Sequence, residues 1–273
     1  MKPSLSGFKS AMMVLALLVF SASNAQAHEF WMIPHDAQSQ TDAKVLFELR
    51  IGSGLPGKQT VRIPGLIADF TASDSEGKYV VSGHDNSLVI GHIKPRVPGA
   101  TLVSLRTNPA QITLSATEFE EYLREEGLEK VIRQRKEDGD SAQPGSELYS
   151  RCAKTIVLVD GKSEGFDKAA GMPLELIPLT EPLQYQPGEN YHLRLVRDGK
   201  PLVGAQVKAL LQGKKNWFLK AVTDANGEVA IALPEPGVWL FSSEDMVPSQ
   251  SPDAEWESLW ASVTMEIGKR SGQ

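Results

Sequence analysis

The chain has 273 residues, a formal charge of −6 and 41% apolar residues, enough for one large domain or two ordinary ones. The acidic balance argues against nucleic acid and against anionic membrane surfaces as partners. Cys152 is the single cysteine, which excludes an intramolecular disulfide, and an unpaired cysteine is usually a small buried hydrophobe.

The first segment reads as an export signal, residues 1–27. Lys2 and Lys9 give a positive start, 11–20 is an apolar stretch too short to span a bilayer, and Ala25-Gln26-Ala27 is a small-x-small cleavage site. Cleavage after Ala27 leaves 246 residues and removes Lys2 and Lys9 without any acid, so the charge moves from −6 to −8. The expected address is the periplasm. No later apolar run reaches the roughly 18 residues of a membrane helix, so no membrane span is expected in the mature chain. Cleavage also makes His28 the first residue, with a free α-amino group and an imidazole that together can chelate a divalent transition metal. The amine titrates near ~8 and the imidazole near ~6.5, so both are freed of protons at little cost.

Val45, Phe47 and Leu49 alternate with Leu46, Glu48 and Arg50 before Gly52 and Gly54 end the run. Further strands are expected at 68–71, 79–82, 87–90 and 101–106, separated by glycine-containing turns. The spacing predicts an antiparallel β-sandwich over 28–170. Within it, 115–139 is the one helical region: Ser115 and Glu118 have capping-box spacing, Phe119, Tyr122 and Leu123 form an apolar stripe, and Gly127 is the expected break. The acids Glu118, Glu120, Glu121, Glu125, Glu126 and Glu129 read as a solvated helix face.

A strand follows at 149–159, and alternation sets Lys154 opposite Tyr149 and Arg151, a phrase read as structural. Pro173, Pro178 and Pro182 stiffen the approach to a second unit, with the boundary between Gly165 and Pro182. Residues 171–273 read as a second sandwich. Tyr191, Leu193 and Leu195 alternate up to an Asp198-Gly199 hairpin, and 201–211, 229–233, 236–241 and 259–267 supply further strands. Trp239, Trp256 and Trp260 are expected in cores. The fold class is therefore all-β: two immunoglobulin-like or transthyretin-like antiparallel β-sandwich domains with an inserted helical segment.

Several phrases carry a resemblance over the whole mature chain. They are His28-Glu29-Phe30-Trp31, the 119–128 helix, Tyr149-Ser150-Arg151-Cys152-Ala153-Lys154, Leu174-Glu175-Leu176-Ile177-Pro178, Thr223-Asp224-Ala225-Asn226-Gly227 and Trp256-Glu257-Ser258-Leu259-Trp260. The sequence resembles a secreted bacterial family catalogued as a domain of unknown function and often labelled as a periplasmic component of nickel or cobalt uptake. The resemblance implies a metal role and an uptake transporter or other envelope protein as partner. Family members often carry a His-Met pair before the tryptophan-rich segment, where this chain has Asp245-Met246. If the family's histidine is a ligand, that departure favours a harder, oxygen-containing ligand set or abolishes the site.

The expected metal ligands are His28, with His84, His92 and Asp245 to complete the set. His84 and His92 lie near turns flanked by Gly83 and Gly91, from which either would reach the terminal histidine across the end of the sandwich. His35 follows Pro34 with no spacing that demands ligation, and His192 reads as a solvent-face strand residue. No zinc-protease helix, nucleophile elbow, phosphate-binding glycine loop or dinucleotide fingerprint is present. The expected function is binding of a divalent transition metal ion, nickel or cobalt first and copper next, for uptake or handling, without catalysis. The alternatives are a copper-dependent histidine-brace oxidative enzyme and a metal-free envelope interaction module.

Overall fold

The computed structural model describes residues 29–214 and 218–268. In the first part of the chain these residues form β1 (Glu29–Pro34), β2 (Gln38–Ser39), β3 (Val45–Gly52), β4 (Lys58–Thr60), β5 (Ile67–Asp74), β6 (Gly77–Val80), β7 (Val89–Ile93), β8 (Gly99–Thr107) and β9 (Ala110–Leu114). Helices α1 (Ala116–Glu126) and α2 (Glu129–Asp138) precede β10 (Gly145–Val159) and β11 (Leu174–Pro178). The chain continues through β12 (Asn190–Arg197), β13 (Lys200–Pro201), β14 (Gln206–Leu211), β15 (Leu219–Val222), β16 (Glu228–Ala232), β17 (Gly237–Pro248) and β18 (Trp256–Ile267).

The fold is all-β, built from layered and mainly antiparallel sheets, with the helices inserted where the sequence predicts them. In β3, Val45, Phe47 and Leu49 are buried, and in β12 so are Tyr191, Leu193 and Leu195, because alternate residues of a strand share a face. The Ser115 side chain accepts from the Glu118 amide while Glu118 accepts from the Ser115 amide, which closes the capping box. Gly127 ends α1 at φ 72°, a left-handed conformation that glycine adopts without steric cost. Strand β1 has no readable alternation because both faces are covered. Phe30 and Met32 join one core cluster, while Trp31 packs with Leu210 and Leu240 in another.

One ten-stranded sheet organises the molecule, in the order β15-β14-β17-β18-β10-β8-β5-β6, with β2 and β9 also on β10. Strands β10 and β18 pair in parallel, from Glu147 opposite Trp256 to Thr155 opposite Thr264. These strands come from opposite sides of the span 165–182 where the sequence places a boundary, so the sheet is continuous across it. Two four-stranded sheets flank it: β1, β3, β4 and β7, and β11, β12, β13 and β16.

Alternation assigns the layers. Ala153, Val157 and Val159 of β10 meet Phe30, Met32, Phe47 and Leu49 of the first small sheet. Ile156 and Leu158, pointing the other way, meet Leu174, Leu193 and Leu195 of the second. The helices lie on the same side as the first small sheet, since Phe119, Tyr122 and Leu123 pack on Met246, Trp256 and Trp260. Cys152 is buried and unpaired, and Trp239, Trp256 and Trp260 are core residues.

Lys154 lies on the far face, fully buried, with Nζ 2.6 Å from Glu175 Oε1. Glu175 also accepts from the amides of Ala170, Gly171 and Met172. One carboxylate therefore fixes the link between β10 and β11. Among the described residues, no helix is long and apolar enough to cross a membrane.

Candidate functional site

Where the first small sheet gives way to the helices, four adjacent strands of the large sheet present polar side chains to the same layer. Register builds this place row by row. Lys208 of β14 stands opposite Ser242 of β17, and Ser242 opposite Ser262 of β18. Two residues along, Glu244 stands opposite Trp260, and Trp260 opposite Arg151 of β10. Strand β1 contributes Glu29 from one side, and α1 contributes Tyr122 and Glu126 from the other.

The side chains form two linked groups. Lys208 Nζ is 2.8 Å from Glu126 Oε2 and also contacts the Glu29 carboxylate. Burial alone would lower the Lys208 pKa, but the two carboxylates outweigh it and hold the ammonium above its ordinary range. Glu126 is pushed up to about 7 by burial, against the pull of Lys208 and with a further push from Glu29. In the second group, the Tyr122 hydroxyl lies 3.0 Å from Glu147 Oε2 and also contacts Glu244 Oε1. A phenol has one proton to give, so the second contact is favourable only if that carboxyl carries a proton. Burial raises both Glu147 and Glu244, and Glu244 is pushed further by Glu147 and Glu126.

Arg151 completes the surroundings. Its guanidinium lies 5.0 Å from the ring centres of both Phe30 and Tyr149, and 5.9 Å from that of Trp260. Burial lowers its pKa, opposed by Tyr149, Glu244, Glu147 and Glu29. Trp260 in turn stacks on Tyr122 at 5.8 Å and 4°. Four acidic side chains thus surround Lys208 and Arg151, and Glu244 Oε2 and Trp260 Nε1 are buried without a hydrogen-bond partner.

Beside this cluster is a cavity of about 260 Å³ between the α1–α2 turn and the segment leading into β14; Glu244, Asp245 and Met246 help line it. Gly127 closes one wall, and a Cβ there would sit 3.0 Å from the Gln206 side chain.

The structure separates the residues expected to ligate a metal. His28 lies outside the described residues. His92 pairs with Leu46, whereas Glu29 pairs with Gly52 six residues along the same strand, roughly 20 Å away at the rise of a strand. His84 is near His92 and contributes to lowering its pKa, after burial and Lys44. Asp245 is held by Arg197 Nη1 from β12, on the face opposite Glu244, because neighbouring strand residues point oppositely. These positions do not assemble His84, His92 and Asp245 into one set, and among the described residues no group of three or more His, Cys, Asp and Glu side chains is placed to hold a metal. His35 is engaged by Glu48 at 2.7 Å, and His192 is exposed.

Sequence reasoning missed the cluster. The acids of α1 read as one solvated face, and Glu118, Glu121, Glu125 and Glu129 are exposed, but Glu126 and Glu120 are buried. Glu120 pairs with Arg135 at 3.2 Å. A signal for Glu126 was present: it follows Phe119, Tyr122 and Leu123 by seven, four and three residues, which puts it on the apolar stripe. No comparable signal marks Glu147, Lys208 or Glu244, which meet only through pairings between distant strands.

No curated protein matches the chain. Among solved structures, the D0-D1 domain of intimin is 13% identical over 88% of this chain and 98% of its own, with a TM-score of 0.23. A tetra-tandem repeat of a large adhesion protein is 10% identical over 88% and 49%, with a TM-score of 0.21. Salmonella alpha-2-macroglobulin is 11% identical over 87% and 15%, also at 0.21. At such TM-scores these likenesses carry no argument. A family model does match residues 25–246, from just before β1 to within β17, and the chain belongs to the family described as Domain of unknown function (DUF4198).

Proposed function

We propose that the exported, processed chain binds a divalent transition metal ion in the periplasm, nickel or cobalt before copper, and serves its uptake or handling. His28 is the lead ligand, through its amine and imidazole. The observation that carries this reading is the place of the next residue: Glu29 is buried and its carboxylate contacts Lys208, at the edge of a group of acidic side chains that Glu126, Glu147 and Glu244 complete. The reading rests on His28 and not on His84 and His92: His92 lies opposite Leu46, six residues along β3 from the partner of Glu29, and His84 is near His92.

Calorimetric titration with nickel, cobalt and copper tests it on the processed chain and on a form with one extra amino-terminal alanine. The expected outcome is tight binding to the processed chain and at least about tenfold weaker binding to the extended one, a difference of about 1.4 kcal/mol. Equal affinities, or none for either form, overturn it.

A further inference from the structure

On the face of β10 opposite Arg151, Lys154 and Glu175 bring a buried nucleophile into direct contact with a buried carboxyl. Their side chains are 0% and 1% exposed, and Nζ is 2.6 Å from Oε1. A C–O bond adds about 1.2 Å, so Nζ lies within about 4 Å of the carboxyl carbon, Cδ, close to the reach of an attacking group. The backbone supplies the second element. The amides of Gly171 and Met172 donate to Oε2 at 3.0 and 3.3 Å, and the Ala170 amide donates to Oε1 at 2.7 Å. Two N–H groups fixed on one oxygen are the donors that a tetrahedral oxyanion requires. Burial also acts on the amine: it lowers the Lys154 pKa against the pull of Glu175, toward the neutral, nucleophilic form.

We propose that these two side chains condense in the folded protein, Lys154 Nζ attacking Glu175 Cδ to form an amide and release one water. A proton first passes from the ammonium to Oε1, leaving a neutral amine and a neutral acid. The amine electron pair then forms the N–C bond while negative charge moves to Oε2, under the Gly171 and Met172 amides. A second proton moves from nitrogen to Oε1, the Cδ–Oε1 bond breaks and Oε1 leaves as water. Oε2 becomes the amide carbonyl oxygen, and the nitrogen keeps one proton. The three protons of the ammonium thus end as one on the amide and two on water, the opposite charges cancel, and no co-reactant is needed. Condensation is unfavourable in bulk water, but here the partners are held together and water is excluded, which opposes hydrolysis. The product also relieves the desolvation of two buried charges. Among the described residues, no acid other than Glu175 acts on Lys154, so no third group relays the protons and the step is slow. The newly folded chain therefore holds the ion pair, and the amide accumulates afterwards. It closes residues 154–175 into a covalent ring that ties the large sheet to β11, in a chain with a single cysteine. The inference does not depend on metal binding through His28.

Mass spectrometry of the folded, processed protein tests it, on fresh samples and after days of incubation below the melting temperature. The expected product is lighter by one water, and its tryptic digest contains a branched peptide that joins Lys154 to Glu175, with the chain uncut after Lys154. Incubation in denaturant, where the pair is not assembled, should give no such product. Lys154→Arg keeps the positive charge without the nucleophile and should retain its full mass. If that variant does not fold, the peptide map of the natural chain decides alone. An unchanged mass after incubation, a water lost instead at Asp138, Asp160 or Asp198, each followed by glycine, or an equal yield in denaturant would overturn the proposal.

Discussion

Tyr122 shows how much one hydroxyl can organise. It stands between Glu147 and Glu244, two acids from strands that are not neighbours in the sheet, and its ring is stacked on Trp260. Tyr122→Phe keeps the stacking and removes the hydroxyl, so both carboxyls lose a buried partner. The expected cost is about 1–3 kcal/mol in denaturant unfolding, with an unchanged m-value. A loss below about 0.5 kcal/mol would mean that water replaces the hydroxyl at no penalty. At this scale the sequence was partly legible. The tyrosine was visible on the helix stripe, and Glu126 carried the same signal, because helical spacing is local. Its partners were not, since nothing in residues 147, 208 or 244 says which strand lies next to which.

Among elements, the segment between β10 and β11 owes its course to Glu175, which holds three consecutive amides and the fully buried Lys154. Glu175→Ala leaves a buried ammonium with no counter-charge, at an expected cost of about 3–5 kcal/mol. Replacing both partners, Lys154→Met with Glu175→Leu, should recover a large part of that loss. If the double variant is as unstable as the single one, the freed amides of Ala170, Gly171 and Met172 dominate and the ion pair is secondary. Element by element, the sequence did well where one face is wet and the other dry, as in β3 and β12, and where caps mark helix ends. It missed β1, whose two buried faces leave no alternation to read. It also began a strand at 201 that starts at Gln206, after Gly204 at φ 74°.

For the whole molecule, the buried acids make stability a function of pH with two opposing limbs. Glu126 is raised from 4.5 to about 7, and Glu147 and Glu244 are raised as well, so between these values the folded state binds more protons than the unfolded one. Stability contributed this way is full below the unfolded value and lost as pH rises through the folded one. Glu175 is lowered, since Lys154 and the backbone amides outweigh its burial, and its contribution is lost as pH falls below about 4.5. The melting temperature should therefore rise as pH falls from about 8 to about 5, then drop below about 4.5. The upper limb is expected to amount to about 2–3 kcal/mol from Glu126 alone, and Glu126→Gln should flatten it. A level profile between about pH 5 and pH 8 would contradict this assignment. The layered β architecture was legible at this scale from composition and turn spacing. The joining of both halves in one sheet was not, because a parallel pairing between distant strands leaves no local mark.

That pairing constrains the order in which the protein can be made. β18 sits between β17 and β10, and Thr155 Oγ1 donates to Thr264 O across 109 residues. As the chain emerges from a ribosome or an export channel, β10 appears early and waits with one long edge unsatisfied until residue 267 has followed. No shorter nascent chain can complete the sheet, and a bare edge of this length is a template for joining a second copy. The interval between these two strands is when the chain most needs a chaperone, and any truncation before β18 makes that interval permanent.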